Sequence, residues 1–214
     1  MTDVSALYAL RLRTPRLELR LGDRQELEAL ARVAAAGIHP PEEMPFAVAW
    51  TDGSGEPGFV GGFVEFHEEA LAGWTPARWT LNLIAFQEGL PVGTQGISGT
   101  NFADERAVET GSWLGAPRQG LGLGTEMRAA VLELAFGSLG ARTARSGWLG
   151  SGAAQSARVS DKLGYREVGS HVLHPRGEPV VHHDLVLERA DWRSPVAVDV
   201  EAVEPCLGLF GAGA

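Results

Sequence analysis

The stretch Gly111–Leu139, GSWLGAPRQGLGLGTEMRAAVLELAFGSL, constrains this chain more than any other. It opens on a short apolar run, Ser112-Trp113-Leu114, that reads as the end of a strand. A turn at Pro117 follows, then the glycine-rich run Gln119-Gly-Leu-Gly-Leu-Gly124. From Thr125 the apolar positions Met127, Ala130, Val131, Leu134 and Ala135 take up helical spacing. Strand, glycine loop and helix N-terminus in that order make an anion site, because the glycines let backbone N–H groups close on a phosphate and the helix dipole favours negative charge there. A Walker A loop is excluded, since it needs a lysine and the only one in the chain is Lys162. A dinucleotide fingerprint is excluded as well, because Met127 stands where G-x-G-x-x-G from Gly122 needs its third glycine. The spacing that remains is Q-x-x-G-x-G, on Gln119, Gly122 and Gly124.

A length of 214 residues suits a single domain with room for a substantial core, and 44% hydrophobic with 21% charged residues is a globular composition. No apolar run reaches membrane-spanning length, and Met1–Arg20 alternates arginine with leucine rather than forming a signal-peptide core. Cys206 is the sole cysteine, which rules out an intrachain disulfide and fits a reducing cytoplasm. A net charge of −9 argues against a nucleic-acid or anionic-membrane partner and favours a cationic one, such as a protonated amine.

Arg16–Leu21 alternates like a half-buried strand, and Gly22-Asp23 offers a cap for a helix through Val33 that Gly37 ends. His39–Asp52 is a proline-rich loop carrying Met44, Phe46 and Trp50, and Phe59–Leu71 reads as a helix with Phe59, Phe63, Phe66 and Ala70 on its apolar side. Trp79–Phe86 and Val92–Ile97 form a hairpin around Glu88-Gly89, and Ala107–Leu114 completes a meander. Beyond the central helix come a strand at Ala141–Trp148, a helix at Ser151–Leu163, and strands at Tyr165–Leu173 and Val180–Leu187. Val196, Val198 and Val200 suggest a last strand before an apolar tail. The order β-α-α-β-β-β-α-β-α-β-β implies an α/β fold with a mixed, mostly antiparallel sheet and helices on both faces.

This order, with the glycine loop after the fourth strand, resembles the GNAT acyltransferases, whose pyrophosphate loop is written [RQ]-x-x-G-x-[GA]. Further blocks resemble the RimJ/RimL-type branch: Thr14-Pro-Arg-Leu17, Met44-Pro-Phe46 with Trp50, Pro91-Val-Gly93, Glu109-x-Gly-x-Trp-Leu114 and Ser160-Asp-Lys-Leu-Gly-Tyr165. The resemblance covers about Thr14 to Trp192, so the chain is read as one domain over 1–214, with a core of about 14–192 and an extension over 193–214. One departure stands out: the family's N-x-x-S falls on Ala153 and Ser156, so the asparagine is missing, and Ser151 or Gln155 would have to substitute.

The resemblance implies transfer of an acyl group from acyl-CoA, with acetyl-CoA the default and succinyl-CoA the first alternative, to a primary amine of a protein N-terminus or small molecule. A non-catalytic acyl-CoA-binding module is a further alternative, which the missing asparagine leaves open. Such transfer needs the thioester and a neutral amine held together, an oxyanion stabilised and protons moved. The pyrophosphate would meet Gln119, Gly120, Leu121, Gly122, Leu123, Gly124 and Thr125, and the oxyanion a backbone N–H near Trp113 and Leu114. Glu109 shares strand parity with Gly111 and Trp113 and is the candidate base. Ser156, with Ser160 one helical turn on, is the candidate for the departing sulfur. His171, His174, His182 and His183 gather in the C-terminal hairpin, but neighbouring His182 and His183 point to opposite sheet faces, and no metal is expected. The apolar extension is expected to dock on the chain's own sheet edge or on a second subunit, as in a homodimer.

Overall fold

The computed structural model describes residues 2–150 and 154–213. Among the described residues nine strands form one sheet: β1 (Arg11–Arg13), β2 (Glu18–Arg20), β3 (Arg78–Gln87), β4 (Leu90–Thr100), β5 (Ala107–Leu114), β6 (Thr143–Leu149), β7 (Arg166–Leu173), β8 (Val180–Glu188) and β9 (Asp199–Glu201), in the order β7-β8-β6-β5-β4-β3-β2-β1-β9. Every neighbouring pair is antiparallel except β5 with β6. That parallel pair is joined through helix α4 (Leu123–Glu133), the crossover that parallel strands require.

Helices α1 (Arg24–Ala35) and α2 (Phe59–Ala72) cover one face, around Leu30, Phe63, Ile84 and Phe86, and a single-turn α3 (Phe102–Glu105) links β4 to β5. A capping box of Asp23 and Glu26 starts α1, each side chain accepting from the other's backbone N–H. On the opposite face lie α4 and α5 (Ala154–Lys162), over a larger core that includes Leu83, Val108, Val131, Ala144 and Leu187. Helix α4 starts at Leu123 rather than Thr125, and all seven residues from Glu126 to Leu132 are buried. It runs on into a wide turn at Leu134–Ser138, where Leu139 N–H donates to Leu134 C=O.

Some sequence expectations needed correction. Strand β1 was not anticipated, because three residues are too few to display alternation. The apolar side of α2 is rotated: Phe63, Val64 and His67 are buried while Phe66 faces solvent. The final strand shrinks to Asp199–Glu201, and the expected start of α5 at Ser151 lies outside the described residues.

The extension docks on the chain's own sheet edge. β9 pairs with β1, Val200 opposite Leu12, and the following turn at Glu204–Phe210 drives Phe210 to zero exposure between Trp74 and Trp79, at 5.4 and 4.9 Å between ring centroids. Buried indoles need partners for their N–H groups. Trp74 donates to Leu209 C=O at 2.9 Å and Trp79 to Phe210 C=O at 3.1 Å. Removing a fully buried phenyl ring costs about 3–5 kcal/mol, so Phe210→Ala should lower the unfolding free energy by that amount in a urea titration. A loss below about 1 kcal/mol would mean that the site collapses around the gap and the tail is dispensable.

Candidate active site

The parallel ladder between β5 and β6 is short: Ala107–Thr143, Val108–Ala144 and Glu109–Arg145. Beyond it the strands part, while β5 stays paired with β4 as far as Leu114. Strand alternation fixes where the freed backbone groups point. Gly111 C=O accepts from Gln95 Nε2 on the β4 side, and Thr110 C=O accepts from Ser146 Oγ on the β6 side. The N–H and C=O groups of Ser112 and Leu114 therefore face the gap. Leu114 C=O is met by the Gln119 amide at 2.8 Å, and the Ser112 and Leu114 N–H groups have no strand to pair with.

The gap opens into a cavity of about 990 Å³ lined on both sheet faces. On the α1/α2 side stand Glu109, Gly111 and Trp113, walled by loop 39–52, whose Phe46 and Trp50 lead to Trp113 at a 5.8 Å centroid spacing from Trp50. On the α4/α5 side stand Ser112, Leu114, Met127, Arg128, Ser156 and Val159. The loop is tied down by the tip of the β7–β8 hairpin, where Arg176 donates to both Asp52 carboxylate oxygens, at 2.9 and 2.5 Å, and to Pro41 C=O.

At the end of β5 the glycine loop turns into α4. Gly120 and Gly122 take φ of +73° and +82°, conformations that glycine adopts without strain. Gly122 is the N-cap and supplies no side chain, so the first-turn N–H groups of Leu123, Gly124 and Thr125 have no side-chain cap. A Cβ at Gly124 would make ordinary contacts with Val159 and Leu114, which places this backbone against the cleft. Leu121 is exposed and Leu123 is buried. Gln119 contributes differently from the expectation that it meets a ligand: its amide is spent on Ile38 C=O at 2.7 Å and Leu114 C=O, lashing loop 39–52 to the end of β5.

The two serines separate. Ser156 is half-buried on the cavity wall. Ser160 is 1% exposed, donates to Ser156 C=O and accepts from Arg128, so its hydroxyl is committed inside the protein rather than presented to a ligand. Glu109 is exposed on the opposite side, beside Arg145 in register.

Sequence reasoning missed two charges on α4. Arg128 is 2% exposed, donates to Ser160 Oγ at 2.8 Å and Ser112 Oγ at 3.2 Å, leaves its Nε without a partner, and belongs to none of the ion pairs among the described residues. Burial pushes its pKa down from the usual arginine value. Glu126, 3% exposed, is the opposite case: it accepts from Thr14 Oγ1 at 2.6 Å, Arg16 N–H at 2.9 Å and Arg16 Nε at 2.7 Å, while Arg16 also reaches Leu121 C=O in the glycine loop. The Thr14-Pro-Arg-Leu17 block thus braces the loop from behind. Burial alone would raise the Glu126 carboxyl, but these donors hold it below the ordinary carboxylate range. Alternation puts His182 and His183 on opposite faces, but His171 and His182 are register partners on one sheet face, and both hydrogen-bond Asp184 at 3.1 Å.

Residues 16–166 match the family model of the acetyltransferase (GNAT) domain. The chain belongs to this family, whose members use acetyl-CoA as cosubstrate. Solved structures share its fold. RimJ of Mycobacterium smegmatis, in complex with CoA-disulfide, is 19% identical with a TM-score of 0.65, over 86% of this chain and 88% of that one. The ribosomal-protein-S5-alanine acetyltransferase of Vibrio fischeri is 16% identical with a TM-score of 0.59, over 86% and 98%.

A depressed carboxyl pKa contributes stability above the unfolded-state value, about 4.3, and that contribution disappears as pH falls through the folded value. Glu126→Gln should therefore cost about 2 kcal/mol at pH 7, with the gap to wild type closing below about pH 4, in denaturant titrations across pH. A gap independent of pH would assign the effect to shape rather than charge.

Proposed function

We propose that this protein transfers the acetyl group of acetyl-CoA to a primary amine, on a protein N-terminus or a small molecule, by direct attack within a ternary complex. The observation that carries this reading is the parting of β5 from β6 beside an uncapped helix N-terminus. One cavity then joins a seat for phosphate to unpaired backbone N–H donors. The first-turn N–H groups of Leu123, Gly124 and Thr125, with the loop from Gly120 to Gly122, bind the pyrophosphate. The free N–H groups on the gap side of β5, at Ser112 and Leu114, meet the carbonyl oxygen as charge develops on it. Trp113 and Phe46 shape the acceptor side, where Glu109 takes the proton that the ammonium group must lose before it can attack. On the far wall Ser156 faces the departing sulfur.

One observation favours a second donor. Arg128 is a buried cation on the cavity wall with no carboxylate partner among the described residues, which suits an acyl group that ends in a carboxylate, such as succinyl. Parallel thiol-release assays with acetyl-CoA and succinyl-CoA decide between them, and CoA binding without any thiol release would mean a binding module.

Gly124→Val tests the phosphate seat without straining the backbone, because Gly124 is helical and a Cβ fits there. Its branched side chain grows into the cleft between Leu114 and Val159, and CoA affinity measured by calorimetry should fall at least about tenfold, or 1.4 kcal/mol. Unchanged affinity in the folded variant would remove the loop from the site. Glu109→Gln should lower kcat about 10²-fold and erase the basic limb of its pH profile while CoA affinity holds. A variant with wild-type kcat and the same limb would reduce Glu109 to a solvated strand residue.

A further inference from the structure

We propose that His171, His182 and Asp184 form a binding site for a divalent transition-metal ion, with zinc the best match, in the wall of the cleft. The β7–β8 ladder places His171 directly opposite His182, and Asp184, two residues along β8, shares their face. The imidazole centroids are 4.8 Å apart. Both rings turn Nδ1 towards the one carboxylate, His171 to Oδ2 and His182 to Oδ1, each at 3.1 Å. One donor atom from each of the three residues lies within 4.8 Å of the others, and all three side chains line the large cavity.

The spacing suits a small ion. A tetrahedral centre with bonds of about 2.0–2.1 Å holds its ligand atoms roughly 3.3 Å apart, so the donor atoms, which lie within 4.8 Å of one another with the two imidazoles on different carboxylate oxygens, reach that spacing by closing about 1.5 Å at most through side-chain rotation. The protonation cost is small as well. Each neutral imidazole need only move its proton from Nδ1 to Nε2 to free the nitrogen that faces the carboxylate. Two imidazoles and one carboxylate without a thiolate match zinc and its first-row neighbours rather than calcium or magnesium.

The seat of His182 is specific. Its ring lies over Gly147 of β6, where any Cβ would overlap the Cε1–Nε2 edge. The absence of a side chain at 147 is therefore part of the site, although Gly147 ligates nothing. The remaining coordination positions open into the cleft, on the face that also carries Glu109 and Trp113. A bound dication there repels an incoming ammonium group and occupies its path. This consequence, unlike the binding itself, rests on the proposed reading of that face as the acceptor side. It makes the ion an inhibitor competitive with the amine and not with acyl-CoA.

The test uses the full chain stripped with EDTA. Cobalt(II) titration followed by visible d–d absorbance, and zinc titration by calorimetry, should each give one site, with zinc bound at about micromolar Kd, as three partly exposed ligands imply. His171→Gln, His182→Gln and Asp184→Asn should each abolish the cobalt bands, while His183→Gln, on the other face, should leave them intact. Gly147→Ala removes no ligand but displaces the His182 ring, and should weaken zinc at least about tenfold, as loss of ligand positioning does. Circular dichroism melts establish that each variant is folded. No saturable binding below about 0.1 mM zinc, or bands that survive all three ligand substitutions, would overturn the site. Binding that holds while inhibition fails to compete with the amine would keep the site and overturn the acceptor-side reading instead.

Discussion

The end of the β5–β6 ladder at Glu109 and Arg145 is the constraint on which the rest of the site depends. Inside a sheet, backbone N–H and C=O groups must find partners, and parting two strands leaves a row of them exposed. The chain satisfies some of these groups locally: Ser146 Oγ donates to Thr110 C=O and the Gln119 amide to Leu114 C=O. The remaining donors of β5 are held in place because β4 stays attached on the other side. That attachment needs Gly93, where a Cβ would overlap the Trp113 carbonyl. Half of the sheet is thus kept rigid so that the other half can diverge.

Helix α4 carries the second burden, since it presents its N-terminus to the cleft while being buried almost all round. Two charges within one turn, on opposite sides of the helix, follow opposite solutions. Glu126 is enclosed by donors from Thr14 and Arg16, and the same arginine holds Leu121 C=O, so the charge that stabilises the helix also fixes the glycine loop. Arg128 is given only hydroxyls. A buried guanidinium without a carboxylate is costly, and it ties β5, α4 and α5 together through Ser112 and Ser160.

The strand, glycine loop and helix were legible in the sequence because each is decided by neighbouring residues: alternation, positive-φ glycines and a 3.6-residue period. The partners of α4 were not. Met127, Ala130 and Val131 suggested a one-sided helix, whereas the Arg128 side is met by α5, some thirty residues away in the chain, and the Glu126 side by Thr14 and Arg16, more than a hundred away. Gln119 was identified by spacing, but a spacing cannot say that its amide faces Ile38. The His171–His182–Asp184 group shows the same limit. Asp184 lies at i+2 from His182, a pattern visible in one strand, but His171 joins it only once the hairpin register is known. The phase of α2 is not legible either: Phe66 faces solvent while His67 is taken in, its Nδ1 bonded to Phe63 C=O at 2.8 Å and its Nε2 left without a partner among the described residues.

The clasp between Arg176 and Asp52 gives the two halves of the cleft unequal mechanical character. On the α4/α5 side the walls are core: helix on sheet, with interior side chains that cannot move without opening cavities. On the α1/α2 side the roof is a proline-rich loop held from above by an ion pair at the surface, which water and salt weaken. A guest on the first side must fit a fixed mould. A guest on the second side meets a roof whose hold depends on one exposed ion pair and therefore on salt.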